Sequence, residues 1–268
     1  MNRYIYSIII IIGLNIGNSY AQLTDGLTGL LHMTNAEMQK DGTFILGGNY
    51  LNKHNLPNKN WWGYDSFNYY VNITFFSRVE IAYICTLVKG KPGYGYWPEG
   101  TWNKFVNQDR HFACKIQLLK EGEWWIHMPS IVVGISDPTT GSGGDYLDFN
   151  ATVHNNGFFN RYFVALTKNF DLPLGKMGIH FTYLYNKRKD YPLNGPAFGI
   201  NLRPSFYKNL NLIAEYDAKT INIGALYSLW NDHFNLIFEL QDGKYISAGL
   251  AYKVNLIGNN RWNSNFFK

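Results

Sequence analysis

The chain has 268 residues and a formal charge of +5; 16% of its residues are charged, 46% hydrophobic and 17% aromatic. A soluble domain carries about 25% charged residues, so charge is scarce while apolar content is ordinary, and the length suits one sizeable all-β domain. The basic excess is spread thinly, which favours anionic glycans or lipid head groups weakly and excludes nucleic acid, because no basic run with interleaved aromatics occurs.

At the N-terminus Arg3 precedes the apolar run 8–12, which continues to a small-x-small site at Ser19-Tyr20-Ala21. Residues 1–21 therefore read as a secretory signal peptide cut near Ala21, too short in its apolar part to anchor in a bilayer. No long uninterrupted apolar stretch follows, so no transmembrane helix is expected. Residues 22–42 read as an N-terminal periplasmic segment that plugs or narrows whatever follows. Strands are then predicted at 43–50, 65–75, 78–87, 107–118, 125–136, 158–169, 176–186, 195–203, 209–217, 220–229, 234–240 and 245–254, leaving 255–268 as a C-terminal tail.

The last four of these carry the clearest signal. Ile221, Ile223, Ala225, Tyr227 and Leu229 alternate with Asn222, Gly224, Leu226 and Ser228, and Phe234, Leu236, Phe238 and Leu240 alternate with Asn235, Ile237 and Glu239. A period of two means a strand with one greasy face. The joins between them are short, with turn chemistry such as Asp242-Gly243, as antiparallel neighbours require.

About twelve strands is an even number, as single-chain outer-membrane barrels have. Connections after the first, third, fifth and seventh strands are long, whereas those after the second, fourth, sixth, eighth and tenth are short. Short turns on one rim and long loops on the other point to a single closed antiparallel transmembrane β-barrel, residues 43–254, with the apolar faces in lipid. Its polar faces would line a lumen with Glu80, His111, Lys115, Arg161, His180, Arg203, Glu215, Asp217 and Glu239. Salt bridges and water must satisfy those groups, because buried unpaired charge is costly.

Among the tryptophans, Trp124, Trp125 and Trp230 fall at short turns, where an interfacial girdle is expected. Trp61, Trp62, Trp97 and Trp102 fall in long loops beside Tyr94 and Tyr96. Such rings either stack on sugars, making them candidate glycan contacts, or pack the loops into a cap. Cys85 and Cys114 lie on neighbouring strands about five residues out of step, too far for a disulfide, and read as two free lipid-facing thiols. No His or Cys cluster has metal-ligand spacing and no cofactor motif is present. The loop carrying Ser142, Asp145 and His154 holds the groups of a hydrolase without a nucleophile elbow, and reads as a Gly-rich surface loop.

The stretch from Gly26 to Gly42, with Thr28-Gly29-Leu30, Asn35-Ala36 and Asp41-Gly42-Thr43, resembles the opening of the YjbH-type outer-membrane proteins. The segments 133–137, 162–168 and 214–217 are similar to that family's core. Thr34 stands where a proline is common, and the chain is shorter than the family's long members. The resemblance implies a non-enzymatic outer-membrane barrel serving exopolysaccharide secretion or organisation, with outer-membrane lipid, polysaccharide and envelope export proteins as partners. It brings no catalytic residues. The alternatives are an outer-membrane hydrolase or acyltransferase acting on lipid or glycan, a narrow porin-like channel, and a secreted β-sandwich lectin.

Overall fold

The computed structural model describes residues 26–57, 62–92, 97–138, 158–186 and 193–257. The expected signal peptide lies outside the described residues, as does the tail beyond 257. Twelve strands form one sheet: β1 (Thr43–Leu51), β2 (Ser66–Phe75), β3 (Val79–Lys89), β4 (Phe105–Leu119), β5 (Ser130–Ser136), β6 (Arg161–Leu172), β7 (Gly175–Tyr185), β8 (Gly195–Pro204), β9 (Leu210–Tyr216), β10 (Ile221–Leu229), β11 (Phe234–Gln241) and β12 (Tyr245–Asn255). Every strand pairs antiparallel with its sequence neighbours, and β1 pairs with β12, closing a barrel. Closure removes every sheet edge, so all ladder hydrogen bonds are made within the chain.

The strands follow the alternation of the sequence. On β8, Phe198 and Ile200 face outward, each 52% exposed, whereas Ala197, Gly199 and Asn201 face inward. On β3 the outward row holds Ile81, Tyr83 and Cys85, and Glu80, Ala82 and Ile84 point in. An outward belt of Leu, Ile, Phe, Val and Tyr runs round the whole cylinder, and among the described residues no second protein layer lies against it. That is the architecture of outer-membrane barrels and the reverse of a sandwich.

One rim carries the barrel ends and the turns 76–78, 120–129, 173–174, 205–209 and 230–233; it is called the turn rim below. The other, the loop rim, carries the described parts of the connections that follow β1, β3, β5 and β7, together with the tight turns 217–220 and 242–244. In the last of these Asp242 and Gly243 have φ of 51° and 64°, the left-handed pair of a type I′ turn, which matches the twist of the flanking strands.

Two expectations are corrected here. The fifth strand begins at Ser130, not 125: residues 120–129 form an extended turn in which Trp124 and Trp125 are exposed, and Pro129, with no N–H for the ladder, stands just outside the strand. Cys85 is not lipid-exposed. It belongs to the outward row but is covered, while Cys114 is partly exposed, and both are free thiols. Cys85 pairs with Arg110 and Cys114 with Ile81, a four-residue offset of about 13 Å.

Candidate functional site

The lumen is not empty. Residues 26–39 lie inside it: Gly26 sits against the middle of β2, the chain reverses at 30–33 beside Glu215, and the return arm leads to β1 at the turn rim. Leu30 N–H donates to the Met33 carbonyl at 3.0 Å, and Gly29 and Thr34 form an isolated antiparallel bridge, so the plug is a tight hairpin without regular strands. Leu27, Leu30, Leu31, Met33 and Ala36 are fully buried and form the apolar centre of the molecule with Ile45, Tyr70, Ile84 and Leu226.

An irregular segment buried away from water must find partners for its backbone, and inward side chains of the barrel supply them. Glu215 on β9 accepts from the N–H groups of Leu31 (3.0 Å), His32 (2.7 Å) and Met33 (3.4 Å). Glu80 on β3 accepts from the N–H of Thr28 at 3.0 Å and of Gln39 at 3.4 Å. Lys115 on β4 donates to the carbonyls of Thr28 and Glu37, both at 2.8 Å, and its ammonium lies 3.5 Å from Glu80. Gln117 donates to Ala36, Thr182 to Thr34, Arg161 to His32 and Asn72 to Gly26.

Two plug side chains complete the charge balance. Arg203 on β8 donates to both carboxylate oxygens of Glu37, at 2.9 and 2.7 Å. Burial pushes the Glu37 carboxyl up, but Arg203 more than reverses this and leaves it below its ordinary 4.5. At the tip, His32 Nδ1 lies 2.8 Å from Asp217 and Nε2 lies 2.7 Å from Glu239. Burial alone would lower the imidazole; the two carboxylates outweigh it and hold it well above 6.5. His32, Glu215 and Asp217 also bring potential ligand atoms within 4.8 Å of one another. The donor set does not suit a metal, because the Glu215 oxygens are taken by three backbone amides and both imidazole nitrogens by carboxylates.

A second buried chain on the wall has the atom types of a catalytic triad. Thr167 Oγ1 lies 2.9 Å from His180 Nδ1, His180 Nε2 lies 2.8 Å from Asn201 Oδ1, and Asn201 donates to Asn211 at 2.7 Å. Thr167 also accepts from the Ala36 N–H at 2.9 Å and is 1% exposed. With the plug against the hydroxyl no substrate can reach it, and the chain reads as a structural ladder.

The lumen residues expected from the sequence thus face one interior. Glu80, His111, Lys115, Arg161, His180, Glu215, Asp217 and Glu239 are buried, and Arg203 has a side chain 11% exposed. His111 stacks on Phe159 with ring centroids 4.6 Å apart. Of the loop aromatics, Trp61, Tyr94 and Tyr96 lie outside the described residues, as do Ser142, Asp145 and His154. Trp62 departs from the glycan expectation: it is fully buried, packs edge-on against Phe158 and Phe159, and donates its indole N–H to Leu87 at 3.0 Å. With Leu51, Leu56, Val88 and Phe158 it makes an apolar cap at the loop rim, against which Trp97 packs. Trp102 is half-buried and donates to the Trp97 carbonyl at 3.1 Å.

Sequence reasoning missed His32 and Glu37. One signal was available: the inward positions of strands nine to eleven are acidic at Glu215, Asp217 and Glu239 with no basic inward partner on those strands, so a cation had to come from elsewhere.

No family model matches this sequence, and no curated protein matches it. Among solved structures, outer membrane phospholipase A from Escherichia coli is similar at 8% identity and a TM-score of 0.33, over 81% of this chain and 97% of that one. At that score the similarity transfers no chemistry.

Proposed function

We propose that this chain resides in the outer membrane as a barrel sealed by its own N-terminal segment, and that it serves surface or exopolysaccharide secretion as a non-enzymatic accessory. The observation that carries this reading is the seat of the plug: Glu215 alone holds three consecutive plug amides, at Leu31, His32 and Met33. A barrel whose interior side chains are committed to its own backbone supports a scaffold or partner-binding role over a porin.

The outward apolar belt supports a lipid surrounding, because a continuous exposed band of this kind is stable only against hydrocarbon. Trp124, Trp125 and Trp230, 69%, 55% and 68% exposed at the turn rim, fit the interfacial girdle. The polysaccharide role draws on the sequence resemblance to YjbH-type proteins, and the aromatic loop cap supplies a surface on which Trp97 and Trp102 remain partly exposed.

Two measurements test this. In planar bilayers the purified protein should show no steady conductance at neutral pH; open single-channel steps would overturn the sealed-barrel reading. Deleting the gene should change the amount or distribution of surface and secreted polysaccharide, and unchanged glycan would remove the polysaccharide role while leaving the barrel intact.

A further inference from the structure

His32 occupies the tip of the plug hairpin, the part farthest from the covalent attachment of the plug to β1. Its side chain bridges two separate stretches of wall, through Asp217 just beyond β9 and Glu239 on β11. Glu215 lies beneath the same tip, and Asn222 on β10 donates to both Glu215 (3.2 Å) and Asp217 (2.9 Å). From the opposite side Arg161 on β6 donates to the His32 carbonyl at 3.3 Å. Above the tip is a small chamber of about 40 Å³, lined by His32, Arg161 and His111 and roofed by Asn55, Phe159 and Leu193 of the loop-rim connections. The tip therefore meets a small space of mixed polar and apolar lining under the loops, not solid protein.

We propose that His32 is a proton-operated latch: charged, it ties the plug tip to β9 and β11, and when it loses its proton the tip lets go of the wall. The charge arithmetic supports the direction. Three carboxylates, Glu215, Asp217 and Glu239, surround one imidazole, with Arg161 as the nearby fixed cation. A neutral imidazole would leave those carboxylates facing one another with less compensation, which buried charge tolerates poorly. Burial alone favours the neutral ring, but Glu239 and Asp217 overcome it and raise the affinity for the proton.

The sign follows from linkage. A group whose pKa is higher in the docked state contributes fully below its undocked value, about 6.5 for histidine, and loses that contribution as pH rises through the docked value. Between those two values the docked-to-undocked ratio falls about tenfold per pH unit, and above the docked value it falls no further. Release runs in the alkaline direction, and the hairpin bond between Leu30 and Met33 lets the tip move as one piece. This rests on the sealed-lumen reading and not on the polysaccharide role.

The experiment is amide hydrogen exchange by mass spectrometry on the full protein in phosphatidylglycerol-containing vesicles, from about pH 6 to about pH 10, corrected for intrinsic exchange rates. Peptides covering Leu31 to Met33 should lose protection in a single-proton step. The Thr28 amide, held by Glu80, should keep its protection over the same range. His32→Gln should reduce protection at the tip and abolish the step, and Glu239→Gln should move the step to lower pH. Heat-modifiable migration on gels reports whether each barrel is folded, and if His32→Gln does not fold, the Glu239→Gln shift decides. A tip equally protected at every pH, a step retained unchanged in His32→Gln, or an unshifted step in Glu239→Gln would overturn the latch.

Discussion

Leu30 of the plug occupies the space that Gly199 leaves in the wall of β8. A Cβ at Gly199 would overlap Leu30 Cδ1 and come within 3.0 Å of Met33 Sδ. Gly224 on β10 does the same for Leu31, whose Cδ2 would lie 2.9 Å from an added Cβ. Plug and wall are thus fitted to each other by shape as well as by hydrogen bonds, with leucines entering gaps left by absent side chains.

Filling the gap should eject the knob. Gly199→Leu is expected to weaken plug docking by about 1–3 kcal/mol, the usual cost of overpacking, without breaking the β7–β8–β9 ladder, since Gly199 has ordinary extended backbone. Hydrogen exchange of residues 30–33 should rise while exchange in β8 and β9 stays slow. Unchanged tip protection would mean that Leu30 does not need this gap.

Lys115 and Glu80 form a buried pair that is also tied to the plug at both ends. Removing only the cation, as in Lys115→Met, leaves Glu80 uncompensated and should cost about 3–5 kcal/mol. The double variant Lys115→Met with Glu80→Gln should cost less than the sum of the single changes, with a coupling of about 0.5–3 kcal/mol. Urea titration of the four proteins in lipid vesicles measures this cycle, and additive costs would show that the two charges do not sense each other.

On the outer face the expectation is set by depth in the bilayer. Ile223 is 48% exposed and sits on β10 opposite Ala214 and Leu240. Ile223→Arg should destabilise the inserted barrel by about 2 kcal/mol, the charge lying within the lipid-facing belt. The change Trp230→Arg at the turn rim should cost much less. Equal costs at the two sites would contradict a lipid belt with its edge at the turn rim.

Acid should loosen the returning arm of the plug. Glu37 has a folded pKa below 4.5, with burial opposed and outweighed by Arg203. Its stabilising effect is therefore complete above the unfolded value, about 4.3, and is lost as pH falls through the lowered folded value. Protection of the Ala36 and Gln39 amides should fall in acid, and Glu37→Gln should remove that dependence. A wild-type and a Glu37→Gln protein with the same acid profile would assign the effect elsewhere.

The barrel was legible because its code is local. Each strand repeats an apolar residue every second position, and the tight joins name themselves through pairs such as Asp242-Gly243. Strand ends were read within a few residues except at β5, where Trp125 and Ile126 imitate strand residues but belong to an exposed turn, and Pro129 marks the real start. The inward polar row was legible for the same reason. The plug's partners were not, because residues 26–39 have no period: what places them is the complementarity of distant groups, such as His32 to Asp217 and Glu239, 185 residues away in the first case. The fate of Trp62 was equally hidden, since an indole in a polar loop reads the same whether it meets solvent or a ring such as Phe158.

The plug runs directly into β1, and β1 is the strand on which β12 closes. Asn255 at the end of β12 donates to the Asp41 carbonyl at 2.7 Å, and the Leu256 N–H donates to Gly42 at 2.8 Å. The strand that closes the barrel is therefore riveted to the hinge of the hairpin that fills the cavity. Sealing the cylinder and seating its contents are one event along this seam, and a chain that zips β12 onto β1 with the hairpin left behind would enclose a lumen of charges facing only water.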